Sequence, residues 1–138
     1  MITVQTTIPV PIARVWEYWT EPAHIMQWNQ ASDDWHTTAA HNDVRVGGVF
    51  SSTMAAKDGS MSFDFAGTYT NVIAHRHLTY ALGDTRIVHV DFTPTSTGTQ
   101  IVEQFTPETT HSHELQQAGW QAILDSFARY AIAQSATH

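Results

Sequence analysis

The chain contains no cysteine, which excludes disulfides, thiolate nucleophiles and thiolate metal sites. Positive charge is scarce: six Lys and Arg stand against 13 Asp and Glu, a formal net charge of −7. A surface of that sign does not neutralise phosphate, so no nucleic acid is expected as a partner. An anionic membrane surface would repel it in the same way. There is no run of about 18 apolar residues, so no membrane insertion is expected. The opening MITVQTTIPVPIARVW lacks a basic stretch followed by an apolar core, so it does not read as a signal peptide. With the missing cysteine, this leads to the expectation of a cytoplasmic protein. Gly47-Gly48 is neither a GxGxxG nor a Walker loop, and no GxSxG elbow or HExxH accompanies the Ser, His and Asp residues. No cofactor is expected.

What is abundant is apolar and aromatic material. Hydrophobic residues make up 42% of the 138, and five Trp, six Phe and four Tyr are among them. That suits one compact domain over residues 1–138 with a real core. Aromatic rings supply large apolar area either to a core or around a ligand.

The elements follow from periodicity. Ile2, Val4, Thr6 and Ile8 alternate with polar residues, which is a half-buried strand ended by Pro9 and Pro11. Pro11 suits the first turn of a helix. Ile12, Val15, Trp16 and Trp19 then give one apolar stripe until Thr20-Glu21-Pro22 breaks it. A second short helix is expected over Ala23 to Gln27, with Trp28 near its end.

A strand is expected from Trp35 to Ala40, with a turn at His41-Asn42-Asp43. The next strand, Val49 to Ala56, puts Phe50, Ser52 and Met54 on one face. Lys57-Asp58-Gly59-Ser60 is a hairpin signal, because Asp-Gly accepts positive φ. The returning strand, Met61 to Val72, keeps Met61, Phe63, Phe65 and Tyr69 in phase, and its Gly67 suggests a bulge or bend.

Leu78, Tyr80 and Leu82 alternate, Gly83-Asp84 turns, and Val88, Val90 and Phe92 alternate again. After a turn at Pro94 to Gly98, a last strand covers Thr99 to Thr106. From Ser112, a plausible N-cap, to Gln134 runs a single long helix with Leu115, Trp120, Ile123, Leu124, Phe127 and Ala131 on one stripe. Gly119 within it would admit close approach to a sheet. The sum is α+β: a strand, two short helices, an antiparallel meander and one long C-terminal helix.

Candidate chemistry is sparse. Glu103 keeps step with Ile101 and Phe105, which would turn it inward; the opposite phase would bury Val102 and Gln104 and leave Glu103 in water. A buried carboxyl has a raised pKa and suits acid–base work or the orientation of a ligand. Asp33 and Asp34 read as solvated loop residues, and Asp64 should point away from Phe63 and Phe65. His75 and His77, and His111 and His113, invite a metal reading, but a zinc site needs three or four convergent ligands. Both pairs fall at turns or helix starts, so no metal is expected. His36 and His89 read as ordinary sheet histidines.

The segments IPVPIARVWEYWTEPAHIMQW, VGGVFSSTMAAKDGS, FDFAGTYTNVI and HELQQAGWQAILDSFARYA together cover nearly the whole chain. They resemble the START-like (SRPBCC) superfamily, and within it the bacterial branch named after the activator of the heat-shock-protein-90 ATPase. The resemblance implies the helix-grip fold, a curved antiparallel β-sheet wrapped around a long C-terminal α-helix above a cavity, with two short helices after the first strand. The superfamily holds lipid carriers, hormone binders, cyclases and the chaperone activator, so fold alone does not fix function. The branch has no invariant catalytic motif, and no catalytic residue carries across.

The leading expectation is therefore a module that binds a small hydrophobic or amphipathic molecule. Trp28, Trp35, Phe50, Met54, Phe63, Phe65, Tyr69, Tyr80, Val90 and Trp120 would line or cap the cavity, and Glu103 would orient a polar end. Burying roughly 300 Å² of apolar ligand surface gives on the order of 7 kcal/mol before binding costs, a micromolar ceiling without good polar contacts. The alternatives are a cyclase- or hydrolase-type enzyme using Glu103 or a pocket histidine, a chaperone partner acting through its surface, and a filled core. A homodimer is compatible with all of these.

Overall fold

The structure, a computed structural model, describes residues 1–83 and 85–136. β1 (Ile2–Ile8) is followed by α1 (Ile12–Thr20) and α2 (Pro22–Trp28). Six strands come next: β2 (Trp35–Asn42), β3 (Val49–Ala56), β4 (Ser62–Ile73), β5 (His77–Ala81), β6 (Ile87–Pro94) and β7 (Thr99–Phe105). The long helix α3 (His113–Ala136) ends the described chain. The seven strands form one antiparallel sheet in the order β1-β7-β6-β5-β4-β3-β2, curled as a half-barrel around α3. No helix among the described residues is long and apolar enough to cross a membrane.

Local sequence explains the junctions. Pro11 occupies the cap just before α1, and its carbonyl accepts from the amides of Arg14 at 3.0 Å and Val15 at 3.1 Å. Glu21 closes α1 and opens α2 at φ −77°, ψ 125°. The ring of Pro22 forces that extended conformation on the residue before it, which stops α1, and its own missing N–H is harmless at the start of α2. Ser112 caps α3 as expected, its hydroxyl accepting from the amide of Leu115 at 3.1 Å. The hairpin at Asp58-Gly59 also forms, with Gly59 at φ 79°. The Gly83 turn has φ 69°, while Asp84 lies outside the described residues.

Three expectations are corrected. The reversal after β2 is not at His41-Asn42-Asp43, because β2 continues through Asn42. The chain turns over residues 43–48, where Gly48 passes so close to the Asp43 carbonyl that a Cβ would lie 2.0 Å from it. The turn therefore forms where glycine permits it, and Asn42 remains in the ladder opposite Phe50. Register shifts occur at Thr37/Ala39 and Tyr69/Asn71, not at Gly67. Gly67 instead makes room for Phe50: a Cβ there would sit 2.7 Å from both the Phe50 ring and the Ala81 carbonyl. Gly119 faces open space, with nothing within 4 Å of its would-be Cβ, so it does not serve close packing on the sheet.

The core lies between the concave face of the sheet and the helices. Val10, Val15, Leu78, Val88, Val90, Phe92, Ile101, Phe105, Leu124 and Phe127 are buried there. Trp19 packs against Trp28 at 5.0 Å, Phe92 at 5.5 Å and Phe127 at 4.9 Å between ring centroids, joining α1, α2, β6 and α3. Trp28 Nε1 donates to the Tyr18 carbonyl at 2.8 Å, which locks α2 onto α1. At the sheet's β1 edge, α3 supplies side chains in place of a strand. Gln117 Nε2 donates to the Thr3 carbonyl at 3.1 Å, and the Gln121 amide exchanges bonds of 3.1 and 3.3 Å with the Gln5 backbone. These cover groups that would otherwise invite another strand.

The Tyr18 hydroxyl is fully buried and has no hydrogen bond. An unsatisfied buried hydroxyl costs about 1–3 kcal/mol, so Tyr18→Phe should leave stability unchanged or raise it in urea denaturation. Gly67→Ala should instead lose about 1–3 kcal/mol, because the new methyl drives into the Phe50 ring and the Ala81 carbonyl.

Candidate functional site

α3 does not fill the concavity. A cavity of about 290 Å³ opens between it, the α1–α2 pair and strands β2 to β5 and β7. Strand alternation decides what faces it. Phe50, Ser52 and Met54 come from β3, Phe63, Phe65 and Tyr69 from β4, Tyr80 from β5 and Glu103 from β7. Trp28 enters from α2 and Trp120 from α3. Nine of the eleven residues singled out in the sequence thus line one space.

Trp35 and Val90 do not line it. Trp35 packs on Phe63 at 5.7 Å, and Phe63 is 48% exposed, so this ring pair stands at the mouth. Val90 is fully buried in the core, flanked in the sheet by Glu103 and Leu78.

Sequence reasoning missed Trp19, Ile25, Ile123 and Leu124, which look like ordinary core positions on their helical stripes. It also missed Asn29, His41 and Asn42 as lining residues; the supposed turn hid the last two. Ser52 carried a usable signal, its phase with Phe50 and Met54.

The rings are tightly coupled. Phe50 lies 4.7 Å from Tyr80, 5.4 Å from Tyr69 and 5.9 Å from Phe65. Trp120 stacks on Phe105 at 4.0 Å and 12° and meets Phe65 edge-on at 6.1 Å. Asn42 braces the wall: its Oδ1 accepts from the Tyr69 hydroxyl at 2.7 Å, and its Nδ2 donates to the Thr20 carbonyl at 2.7 Å. Burial, opposed by that bond to Asn42, pushes the Tyr69 phenol up to about 12.

Glu103 is the exception in this apolar wall. It points inward as its phase with Ile101 and Phe105 implies, and only 6% of it is exposed. Its cross-strand neighbours are Val4 and Val90. No described residue donates a hydrogen bond to its carboxyl. Burial pushes its pKa up to about 8, so it is mostly protonated at neutral pH. Burial, and then the nearby Glu103 carboxyl, drive the Tyr80 phenol well above its ordinary value. The lining contains no Lys or Arg among the described residues.

The histidines lie elsewhere, His41 at the mouth excepted. On the convex face, His77 Nδ1 bonds Asp91 at 2.6 Å, His77 Nε2 bonds the Thr79 hydroxyl at 2.5 Å, and that hydroxyl meets His89 Nδ1 at 2.9 Å. The chain pins β5 to β6, so His89 has a structural partner. His75 packs against Trp16, and His111 bonds Glu108. Among the described residues, no three acidic or His side chains converge as a metal site would require. Asp64 is exposed and accepts from Thr53 at 2.8 Å across the strands, away from the rings.

A curled antiparallel sheet gripping a C-terminal helix above an apolar cavity defines a helix-grip domain of the START-like class. The comparisons narrow this. The profile of the family described as activator of Hsp90 ATPase homolog 1-like protein matches residues 9–131, and the chain belongs to that family. It is similar to the AHSA1-like protein of Aeromonas hydrophila, whose solution structure shares 47% identity over 96% of this chain and 92% of that one, with a TM-score of 0.91. A solution structure from Cytophaga hutchinsonii shares 54% identity over 99% and 95% of the two chains, with a TM-score of 0.83. A crystal structure from Nitrosomonas europaea shares the fold at 20% identity, covering 99% of this chain and 96% of that one, with a TM-score of 0.84. No curated protein matches the chain.

Glu103 gives a pH prediction. Its folded pKa of about 8 lies above the ordinary 4.5, so the unfolded chain gives up its proton first as pH rises. Its contribution to stability is complete below pH 4.5 and is lost as pH climbs to about 8. Glu103→Gln should remove this slope, gaining on the parent by a few kcal/mol, on the order of magnitude, between those limits. Urea titrations of both proteins at several pH values measure it.

Proposed function

We propose that the protein binds a small, largely apolar molecule between the sheet and α3, with one polar group turned toward Glu103. The observation that carries this reading is Glu103 itself. A carboxyl buried without a hydrogen-bonding partner costs stability. A residue kept at that cost in the wall of a cavity is a functional candidate. The surrounding rings and aliphatic side chains match the usual make-up of a small-molecule site, mostly apolar with few polar groups. A cytoplasmic location is part of the same proposal. Catalysis is the weaker use of Glu103, because no second carboxyl and no Lys or Arg faces it from the described lining to share the work.

A second reading has one observation in its favour, the family's description as an activator of the Hsp90 ATPase. In that case the surface would do the work. Stimulation of a bacterial Hsp90-type ATPase by the added protein would support it.

Native mass spectrometry of freshly purified protein, compared with its denatured mass, tests the binding reading. An added mass that is lost on denaturation is expected. Trp19, Trp28 and Trp120 line the cavity, so their emission should also shift when an apolar probe is titrated in. A bare protein whose tryptophan emission ignores such probes would overturn the proposal.

A further inference from the structure

We infer that the molecule taken by this cavity carries a protonated amine on an apolar body, and that Glu103 holds the ammonium beside the ring cluster of Phe50, Tyr69 and Tyr80. The inference rests on the ligand-binding reading and names its ligand class.

Charge is the first argument. Glu103 is the one carboxyl in the described lining, and no Lys or Arg accompanies it. A fatty-acid-like anion would meet a carboxyl with no cation to offset it. The whole chain, at a formal net charge of −7, acts in the same sense, favouring cations and repelling anions.

Hydrogen bonding is the second argument. The Glu103 carboxyl has no donor among the described residues. An ammonium brings three donors and forms charge-assisted bonds about twice as strong as neutral ones. A neutral carbonyl or hydroxyl brings only an ordinary bond.

The rings are the third. Phe50, Tyr69 and Tyr80 lie within 4.7 to 6.0 Å of one another. Aromatic faces attract a desolvated cation, which lessens the cost of drawing the ammonium out of water.

The proton balance is explicit. At neutral pH the amine arrives as an ammonium and Glu103 as a carboxylic acid. On binding, the Glu103 O–H bond breaks, its proton leaves to solvent, and the ammonium donates to the carboxylate. The site is electrically neutral before and after. The other titratable groups facing the cavity are Tyr80 on β5, Tyr69 on β4 and His41 on β2. From β1 and β6 come only Val4 and Val90 opposite Glu103, and α1, α2 and α3 contribute apolar or indole side chains.

Isothermal titration with 1-naphthylmethylamine, 1-naphthylmethanol and 1-naphthoate, at pH 6, 7 and 8 in phosphate and in Tris, tests the inference. The amine should bind about tenfold or more tighter than the alcohol at pH 8, and the naphthoate should bind more weakly than either. Amine affinity should rise nearly tenfold from pH 6 to 7 and less steeply toward about 8, with about one proton released per amine at pH 7. Alcohol binding should release none. Glu103→Gln should bind the amine no better than the alcohol, with the proton release gone.

If the alcohol matches the amine in the parent protein, or amine binding releases no proton, the ammonium is wrong while the cavity stands. Proton release that persists in Glu103→Gln would move the effect to His41 and overturn the inference as well. If none of the three compounds binds, the cavity reading falls with it. Should the variant fail to fold, the proton count on the parent protein decides.

Discussion

The stack of Trp120 on Phe105 sets the position of everything around the cavity. At 4.0 Å and 12°, the two rings leave the helix little freedom to slide or roll against β7. One turn further on, Ile123 and Leu124 are therefore held over the open part of the concavity, while Phe127 reaches Trp19 and Trp28. Glu103 sits two residues before Phe105 on the same face of β7, so the contact that seats the helix also fixes where the carboxyl emerges. The cavity is the part of the curled sheet that a helix seated in this way leaves uncovered.

A polar side chain at the floor of such a space must be either satisfied or used. Asn42 is satisfied, joining the Tyr69 hydroxyl to the end of α1. Glu103 is not, and the protein avoids the larger cost of a buried charge by keeping the proton. Two separate strands of the wall thus carry different polar devices, a braced amide on β2 and an acid on β7 that no described residue bonds. Membership of a family described through a chaperone ATPase says nothing about that acid; its setting does.

Much of this was legible in the residues, for reasons that are local. Phe50, Ser52 and Met54, or Ile101, Glu103 and Phe105, share a face because a strand's side chains alternate, and alternation can be read without coordinates. Asp58-Gly59 announced its turn through backbone chemistry. The misreadings arose where tertiary contacts decide. His41-Asn42-Asp43 looks like a turn by composition, yet Asn42 is worth more in the ladder, where its amide has two partners. Val90 has a lining residue's phase but is taken up in the packed core, and Trp35 reaches only the rim. Trp19, Ile25 and Leu124 follow a helical stripe, and a stripe does not reveal which of its members face a void.

The glutamines that clasp β1 bear on how the chain comes to be folded. β1 is the earliest strand, yet its partner is the latest, with Ile2 lying opposite Phe105. Its other edge waits for Gln117 and Gln121 on a helix made later still. During vectorial synthesis, the first strand emerges from the ribosome long before either side of it can be paired. Closing so distant a contact is slow, and an unpaired strand is prone to association in the interval. Thr3, Gln5 and Thr7, alternating with the apolar residues of β1, keep that waiting segment half polar. The same alternation that presents Val4 to the core therefore also protects the nascent chain.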